Sequence, residues 1–121
     1  MTRFYVAALA AAFALATTAA DAHPRLRDST PAAGSILRTA PTSIRMSFSE
    51  GLIPRFTGLV LKDGGGHTVP TGDPSVSGPD NTQLSVPIRS SLKPGTYRVA
   101  WHAVSVDTHH VSGSYSFRIS P

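Results

Sequence analysis

The sequence contains no cysteine. Small exported domains often use disulfides to compensate for a thin core, so this chain has to be stabilised by packing alone. The same absence excludes thiolate metal sites, iron–sulfur clusters and cysteine nucleophiles. Methionine is scarce as well, with only Met1 and Met46. A cluster of soft thioether ligands is therefore excluded too.

Acidic residues are few, 7 against 11 lysines and arginines, which gives a formal net charge of +4. The basic residues are scattered, and few aromatic residues lie between them. This pattern does not favour nucleic-acid binding, and it predicts a solvated basic surface.

Only one long apolar run is present, and it lies at the N-terminus. Residues 1–22 have the form of a secretory signal peptide, with Arg3 before an apolar stretch over 4–16 and a small-x-small cleavage site at 20–22. An uncleaved membrane anchor is the alternative, but the run is alanine-rich and short for a bilayer span. We therefore expect export with cleavage after Ala22, which leaves one domain over residues 23–121.

That domain is built from short runs in which apolar and polar residues alternate, separated by turns rich in glycine, proline, asparagine and aspartate. Period-two alternation is typical of strands with one buried face, and no segment has a helical period. About seven such strands in roughly a hundred residues predict an all-β, immunoglobulin-like antiparallel sandwich. The inward sets are Ile44/Met46/Phe48, Leu59/Leu61, Leu84/Val86/Ile88, Tyr97/Val99/Trp101 and Tyr115/Phe117/Ile119.

The stretch 101–113 carries the strongest chemical signal. On an extended backbone Asp107 and His109 point to the same side, and His110 points to the other. The alternation slips between Ala103 and Val106, which predicts a bulge or a strand exit that directs the pair toward one end of the sandwich. Trp101 is expected to fill the core between the sheets. A carboxylate and an imidazole so placed make half of a small metal site.

The N-terminus of the processed chain supplies the other half. Cleavage leaves His23 with a free amine and an imidazole, which together can chelate one cation. Pro24 has no backbone N–H to ionise, so Cu(II) cannot bind successive deprotonated amides there. With His109 and Asp107 the set is three nitrogens and one oxygen, which suits Cu(II), while Zn(II) is the main competitor and prefers a tetrahedron.

These residues also form a motif series that resembles the CopC-type periplasmic copper-resistance proteins. The resemblance covers nearly all of residues 23–121. It rests on His23-Pro24-Arg25-Leu26, Ser29-Thr30-Pro31-Ala32-Ala33-Gly34, Phe48-Ser49-Glu50, Pro94-Gly95-Thr96-Tyr97 with Trp101, and Val104-Ser105-Val106-Asp107-Thr108-His109 with Gly113.

The resemblance implies a Greek-key β-sandwich that binds one Cu(II) per chain through His23, Asp107 and His109. It places Glu50 beside the site, where a carboxylate can orient the amine or an imidazole. Many relatives have proline where this chain has His110, which we interpret as an exposed spare imidazole, with a role as an alternate ligand as the other possibility. His67 and His102 are expected to be solvated.

The resulting functional hypothesis is a periplasmic Cu(II) carrier or buffer in copper homeostasis and resistance, with no enzymatic activity. By analogy with the family, a CopD-type inner-membrane copper transporter is the expected partner. The alternative is a copper-dependent oxidative enzyme similar to the polysaccharide monooxygenases, whose copper is also held by an N-terminal histidine. A metal-free adhesion sandwich is a third possibility.

Overall fold

The computed structural model describes residues 23–121, so the expected signal peptide over 1–22 lies outside the described residues. Within these residues nine strands follow one another, and two three-residue 3-10 turns, Pro54–Phe56 and Pro79–Asn81, interrupt them. Among the described residues no helix is long and apolar enough to cross a membrane. The strands are β1 (Leu26–Thr30), β2 (Ile36–Leu37), β3 (Ser43–Phe48), β4 (Gly58–Lys62), β5 (Thr68–Val69), β6 (Ser75–Ser77), β7 (Gln83–Pro87), β8 (Gly95–Val104) and β9 (His110–Ile119).

The strands form two sheets, with the orders β1-β3-β7-β6 and β2-β9-β8-β4-β5. The predicted all-β sandwich is confirmed. Every pairing is antiparallel except that of β2 with β9, which is parallel and departs from the expected all-antiparallel arrangement. The described residues form nine strands where about seven were expected; among those without a sequence signal, β2 and β5 have two residues each, too few to produce an alternating pattern.

The core lies between the sheets and contains the residues that alternate inward. In β3, for example, Ile44, Met46 and Phe48 are buried, while Arg45 between them is exposed. Trp101 is 8% exposed and meets Phe48 edge to face, with ring centroids 5.3 Å apart. Its predicted place in the core is therefore confirmed, and burying a side chain of this kind stabilises the fold by about 1.5–3 kcal/mol.

Three features bring distant parts of the chain to one end of the sandwich. Strands β8 and β9 form a long hairpin whose register runs from Gly95 opposite Ile119 to Val104 opposite His110, so its turn projects at that end. Strand β1 runs antiparallel to β3, so the start of the described chain lies at the same end. The loop after β3 also meets the hairpin there, since the backbone N–H of Ile53 donates to the carbonyl of Val104 at 2.8 Å.

Candidate metal centre

The turn of the β8–β9 hairpin consists of residues 105–109. The N–H of Thr108 donates to the carbonyl of Ser105 at 2.8 Å, and the N–H of Ser105 donates to the carbonyl of His109 at 3.0 Å. Thr108 takes a left-handed conformation, with φ at 72°. The predicted strand exit is confirmed. The argument that strand alternation places Asp107 and His109 on one side is wrong, because both lie in the turn and the turn itself brings them together.

Asp107 and His109 are in direct contact. Their Oδ1 and Nδ1 atoms lie 3.1 Å apart, and each side chain is about two-fifths exposed, 44% and 41% respectively. Apart from this contact, Nδ1 is buried and has no hydrogen-bond partner within residues 23–121. A carboxylate oxygen and a ring nitrogen at this separation fit the donor set of one cation, which can bind both.

The side chain of Ser105 forms hydrogen bonds to both residues of this pair. It is fully buried, its hydroxyl donates to Oδ1 of Asp107, and its Oγ accepts the N–H of His109 at 3.3 Å. The Ser105 hydroxyl, and after it His109, lowers the pKa of Asp107 below its usual range. The carboxylate therefore carries its negative charge at neutral pH, as a ligand for a cation must.

Ser105 was missed in the sequence reasoning, which considered only metal-binding side chains. The sequence nevertheless contains an indication that Ser105 bonds within the turn. Serine at the start of a tight turn commonly bonds to groups two to four residues further along, and here those residues are Asp107 and His109.

His23 is brought to this turn by the segment that follows it. Pro24 is fully buried, and Arg25 pairs with Ser49 through two 2.8 Å hydrogen bonds, from the Arg25 N–H to the Ser49 Oγ and from the Ser49 N–H to the Arg25 carbonyl. These contacts leave the exposed ring of His23 beside His109, with centroids 4.8 Å apart and the planes at 82°. The backbone nitrogen of His23 becomes an amine only when the bond to Ala22 is cut.

The structure therefore gathers the three predicted ligands in pairs, with His109 common to both pairs. Within residues 23–121 no three His, Asp or Glu side chains already form a complete metal cluster. Glu50 directly follows Ser49 and is half-buried, but the structure gives it no hydrogen bond or ion pair to the other described residues. Its predicted role beside the site stays a prediction.

The other three histidines lie outside this group. His67 is exposed in a glycine-rich turn, where its Nδ1 is 3.4 Å from Oδ1 of Asp63. His102 is exposed on the outer face of β8, and its ring lies against Gly58, where a Cβ would be 3.4 Å from Cε1. His110 is exposed at the first position of β9. The expectation that all three are exposed is confirmed.

Comparison with known proteins gives one consistent result. The CopC domain family matches residues 26–120. Protein YobA of Escherichia coli strain K12 is 39% identical over 105 residues, which cover 87% of this chain and 85% of that protein. Copper resistance protein C of Pseudomonas syringae pv. tomato is 40% identical over 116 residues, covering 92% and 91%.

Solved structures agree with the sequence matches. The fold is similar to that of PcoC from Escherichia coli, which is described as a methionine-rich copper resistance protein, with a TM-score of 0.69 and 38% identity. The similarity covers 82% of this chain and 100% of the PcoC chain.

Proposed function

This chain belongs to the CopC domain family, and from that membership and the geometry of its hairpin turn we propose that it is a periplasmic Cu(II) carrier or buffer. Copper binding in copper resistance is the general function that the family supports. The oxidation state, the ligands and the site of action are the specific parts of the proposal.

The observation that carries the proposal is the position of His109, which contacts the Asp107 carboxylate on one side and the His23 ring on the other. Cleavage after Ala22 would add the amine of His23 as a fourth donor. Three nitrogens and one oxygen favour the tetragonal geometry of Cu(II), which also heads the affinity series of divalent first-row metals. We propose one Cu(II) per chain, bound by His23, Asp107 and His109.

Cu(I) is not the proposed cargo. PcoC is described as methionine-rich, whereas this chain has Met1 within the expected signal peptide and Met46 in the core at 1% exposure. Because soft thioether ligands are the ones that select Cu(I), reduction of the bound copper should weaken its binding strongly.

We favour a carrier over an oxidative enzyme for a coordination reason. In a copper monooxygenase an equatorial position has to be open for oxygen, and the Asp107 carboxylate would take that position here. The names of the relatives, such as copper resistance protein C, also describe resistance rather than catalysis. A metal-free adhesion domain would leave the His23–His109 and Asp107–His109 contacts without a purpose.

Export places the proposed carrier in the periplasm. A CopD-type copper transporter of the inner membrane is the proposed recipient, an inference from the family alone. In this setting the chain would bind Cu(II) after export and release it to the membrane protein.

The test is the electron paramagnetic resonance spectrum of the processed protein, residues 23–121, with one equivalent of Cu(II). We expect a tetragonal signal with nitrogen hyperfine structure, and weaker binding in Asp107→Ala and His109→Ala with unchanged circular dichroism. His67→Ala is the matched control, since it removes an exposed imidazole that lies in another turn. Affinities of Asp107→Ala and His109→Ala equal to that of the control would remove both residues from the site.

A second measurement separates the carrier from the enzyme. Reduced, copper-loaded protein should produce little hydrogen peroxide in the presence of oxygen. Sustained peroxide production would favour the oxidative alternative instead.

A further inference from the structure

We propose that Ser105 is a positioning residue of the copper site, which sets the geometry of two ligands without binding the metal. The inference rests on the proposed function, because it names the residue that prepares Asp107 and His109 for the same cation. Ser105 is the most completely buried polar side chain in residues 23–121, and this role accounts for its burial.

The burial of Ser105 is the first observation. Thr57 and Ser105 are the buried polar side chains of residues 23–121, at 3% and 0% exposure. Burying a hydroxyl is costly unless it is hydrogen-bonded, so a buried serine needs partners. Thr57 finds its partners in the backbone of Val104, whose N–H donates to its Oγ1 at 3.1 Å. Ser105 instead uses its hydroxyl on the ligand pair.

The division of hydrogen bonds at Ser105 is the second observation. A serine hydroxyl has one proton to donate and two lone pairs to accept with. The proton goes to Oδ1 of Asp107, and the N–H of His109 donates to Oγ at 3.3 Å. One oxygen atom therefore restrains both the carboxylate and the backbone of the imidazole residue.

Ser105 is itself held firmly, which allows it to position other groups. Its N–H donates to the carbonyl of His109 at 3.0 Å, and its carbonyl accepts the N–H of Thr108 at 2.8 Å. It also forms an isolated antiparallel bridge with Leu52, a core residue at 2% exposure. Because the backbone of Ser105 is restrained in this way, its hydroxyl can restrain the orientation of Asp107 and His109.

The consequence is that the two ligands are ordered before the metal arrives. Without the hydroxyl the Asp107 carboxylate keeps only its contact with the His109 ring, and the His109 N–H loses its acceptor. Binding then has to order these groups, which costs affinity. Ser105→Ala should therefore weaken Cu(II) binding by about tenfold or more, the same order as one well-made charge-assisted hydrogen bond.

The decisive experiment is a double-mutant cycle for Cu(II) affinity, measured by chelator competition on the processed protein with Ser105→Ala, Asp107→Ala and both together. If Ser105 acts through its two neighbours, the two losses are not additive, and Ser105→Ala weakens binding less in the Asp107→Ala background than in the native one. The electron paramagnetic resonance parameters of Ser105→Ala should also shift from those of the native protein. Thr57→Val is the matched control, since it deletes the other buried hydroxyl and should lower thermal stability while leaving affinity and spectrum unchanged.

Three outcomes are distinguishable. Native protein that does not bind Cu(II) overturns the proposed function itself. Native protein that binds tightly, with unchanged affinity and spectrum in Ser105→Ala, overturns the role of Ser105 alone. If Ser105→Ala does not fold, the near-isosteric pair Ser105→Thr and Ser105→Val decides, because only the first keeps a hydroxyl; equal affinity in that pair also overturns the role.

Discussion

The indole ring of Trp101 lies across the backbone of Gly113, its partner in the register of β8 and β9. A Cβ added at Gly113 would be 2.6 Å from Cζ2 of Trp101 and 2.9 Å from Cε2. The backbone of Gly113 does not have a positive φ, so glycine is needed here for space rather than for conformation. The same tryptophan packs on Phe48 and so connects the hairpin to the opposite sheet.

Gly113→Ala should therefore destabilise the protein, because either the tryptophan ring or the strand has to move. Overpacking of this kind typically costs about 1–3 kcal/mol. The measurement is chemical unfolding of the metal-free protein. Gly64→Ala is the control, since its new Cβ would meet its nearest neighbour, the Thr96 carbonyl, at an ordinary 3.5 Å. Similar losses in the two variants would contradict the close contact at Gly113.

Addition of one glycine before His23 should reduce Cu(II) affinity by well over tenfold. The extension keeps every side chain, but it turns the His23 nitrogen into an amide and moves the free amine one residue away. One metal–ligand bond and its chelate ring are lost, a larger effect than the roughly 1.4 kcal/mol of a tenfold change. Chelator competition at a single pH measures it.

Thermal unfolding of the metal-free extended protein is the control for that experiment. Buried Pro24 and the Arg25–Ser49 pair hold the chain after His23, so an added residue in front of it should leave the melting temperature unchanged. Equal copper affinity of the native and extended proteins would refute amine ligation. The search for ligands would then move to His67, His102 and His110.

Copper affinity should fall as the pH is lowered. The proposed nitrogen ligands bind a metal only when they carry no proton at the binding nitrogen, so copper competes with protons for them. The pKa of Asp107 is lowered, first by the Ser105 hydroxyl, so this carboxylate stays charged at mildly acidic pH. The fall in copper affinity should therefore come from proton competition at the amine and the imidazoles. Constant affinity from neutral pH down to pH 6 would contradict nitrogen ligation.

Acid should destabilise the turn that follows β4, which runs from Asp63 to His67. The backbone N–H of His67, and with it that of Gly65, donates to Oδ1 of Asp63 and lowers the pKa of its carboxyl. A carboxyl whose pKa is lower in the folded state stabilises the protein above its unfolded value of 3.8, and that contribution is lost as the pH falls through the folded value. Asp63→Asn should therefore be less stable than native protein at neutral pH, and the difference should shrink in acid.

Thermal unfolding between neutral pH and pH 3 measures this difference. The two proteins should approach each other as the carboxyl of Asp63 protonates. A constant difference in melting temperature across the whole range would show that the charge of Asp63 does not contribute.

Five strands could be predicted from the sequence, since each buries one face and so places apolar residues at every second position. The strands at the edges of the two sheets could not be predicted in this way. Strand β1, with the sequence LRDST, has a single large apolar residue, Leu26, and the two-residue strands β2 and β5 are too short for any period. Edge strands are specified by their neighbours' free hydrogen-bonding groups, which a local pattern does not show.

The candidate site was predictable in part. The spacing of Asp107 and His109 predicted that the two side chains lie together, and they are in contact, although the turn rather than an extended strand brings them there. Ser105 was not found, because serine in a strand-like run looks like an ordinary surface residue. Its burial depends on the tertiary structure, in which the loop after β3 pairs with Ser105 through the Leu52 bridge.

Local chemistry in the sequence determined the all-β class, the inward faces of the long strands, the absence of thiolate and thioether sites, and the residues able to bind a cation. These properties follow from the periodicity of a strand and from donor atoms, and both are features of short segments. Only the tertiary structure decided that His23 meets His109 and that Ser105 holds Asp107. Those contacts depend on the pairing of β1 with β3 and on the closure of a hairpin with two ten-residue strands, which the whole fold stabilises.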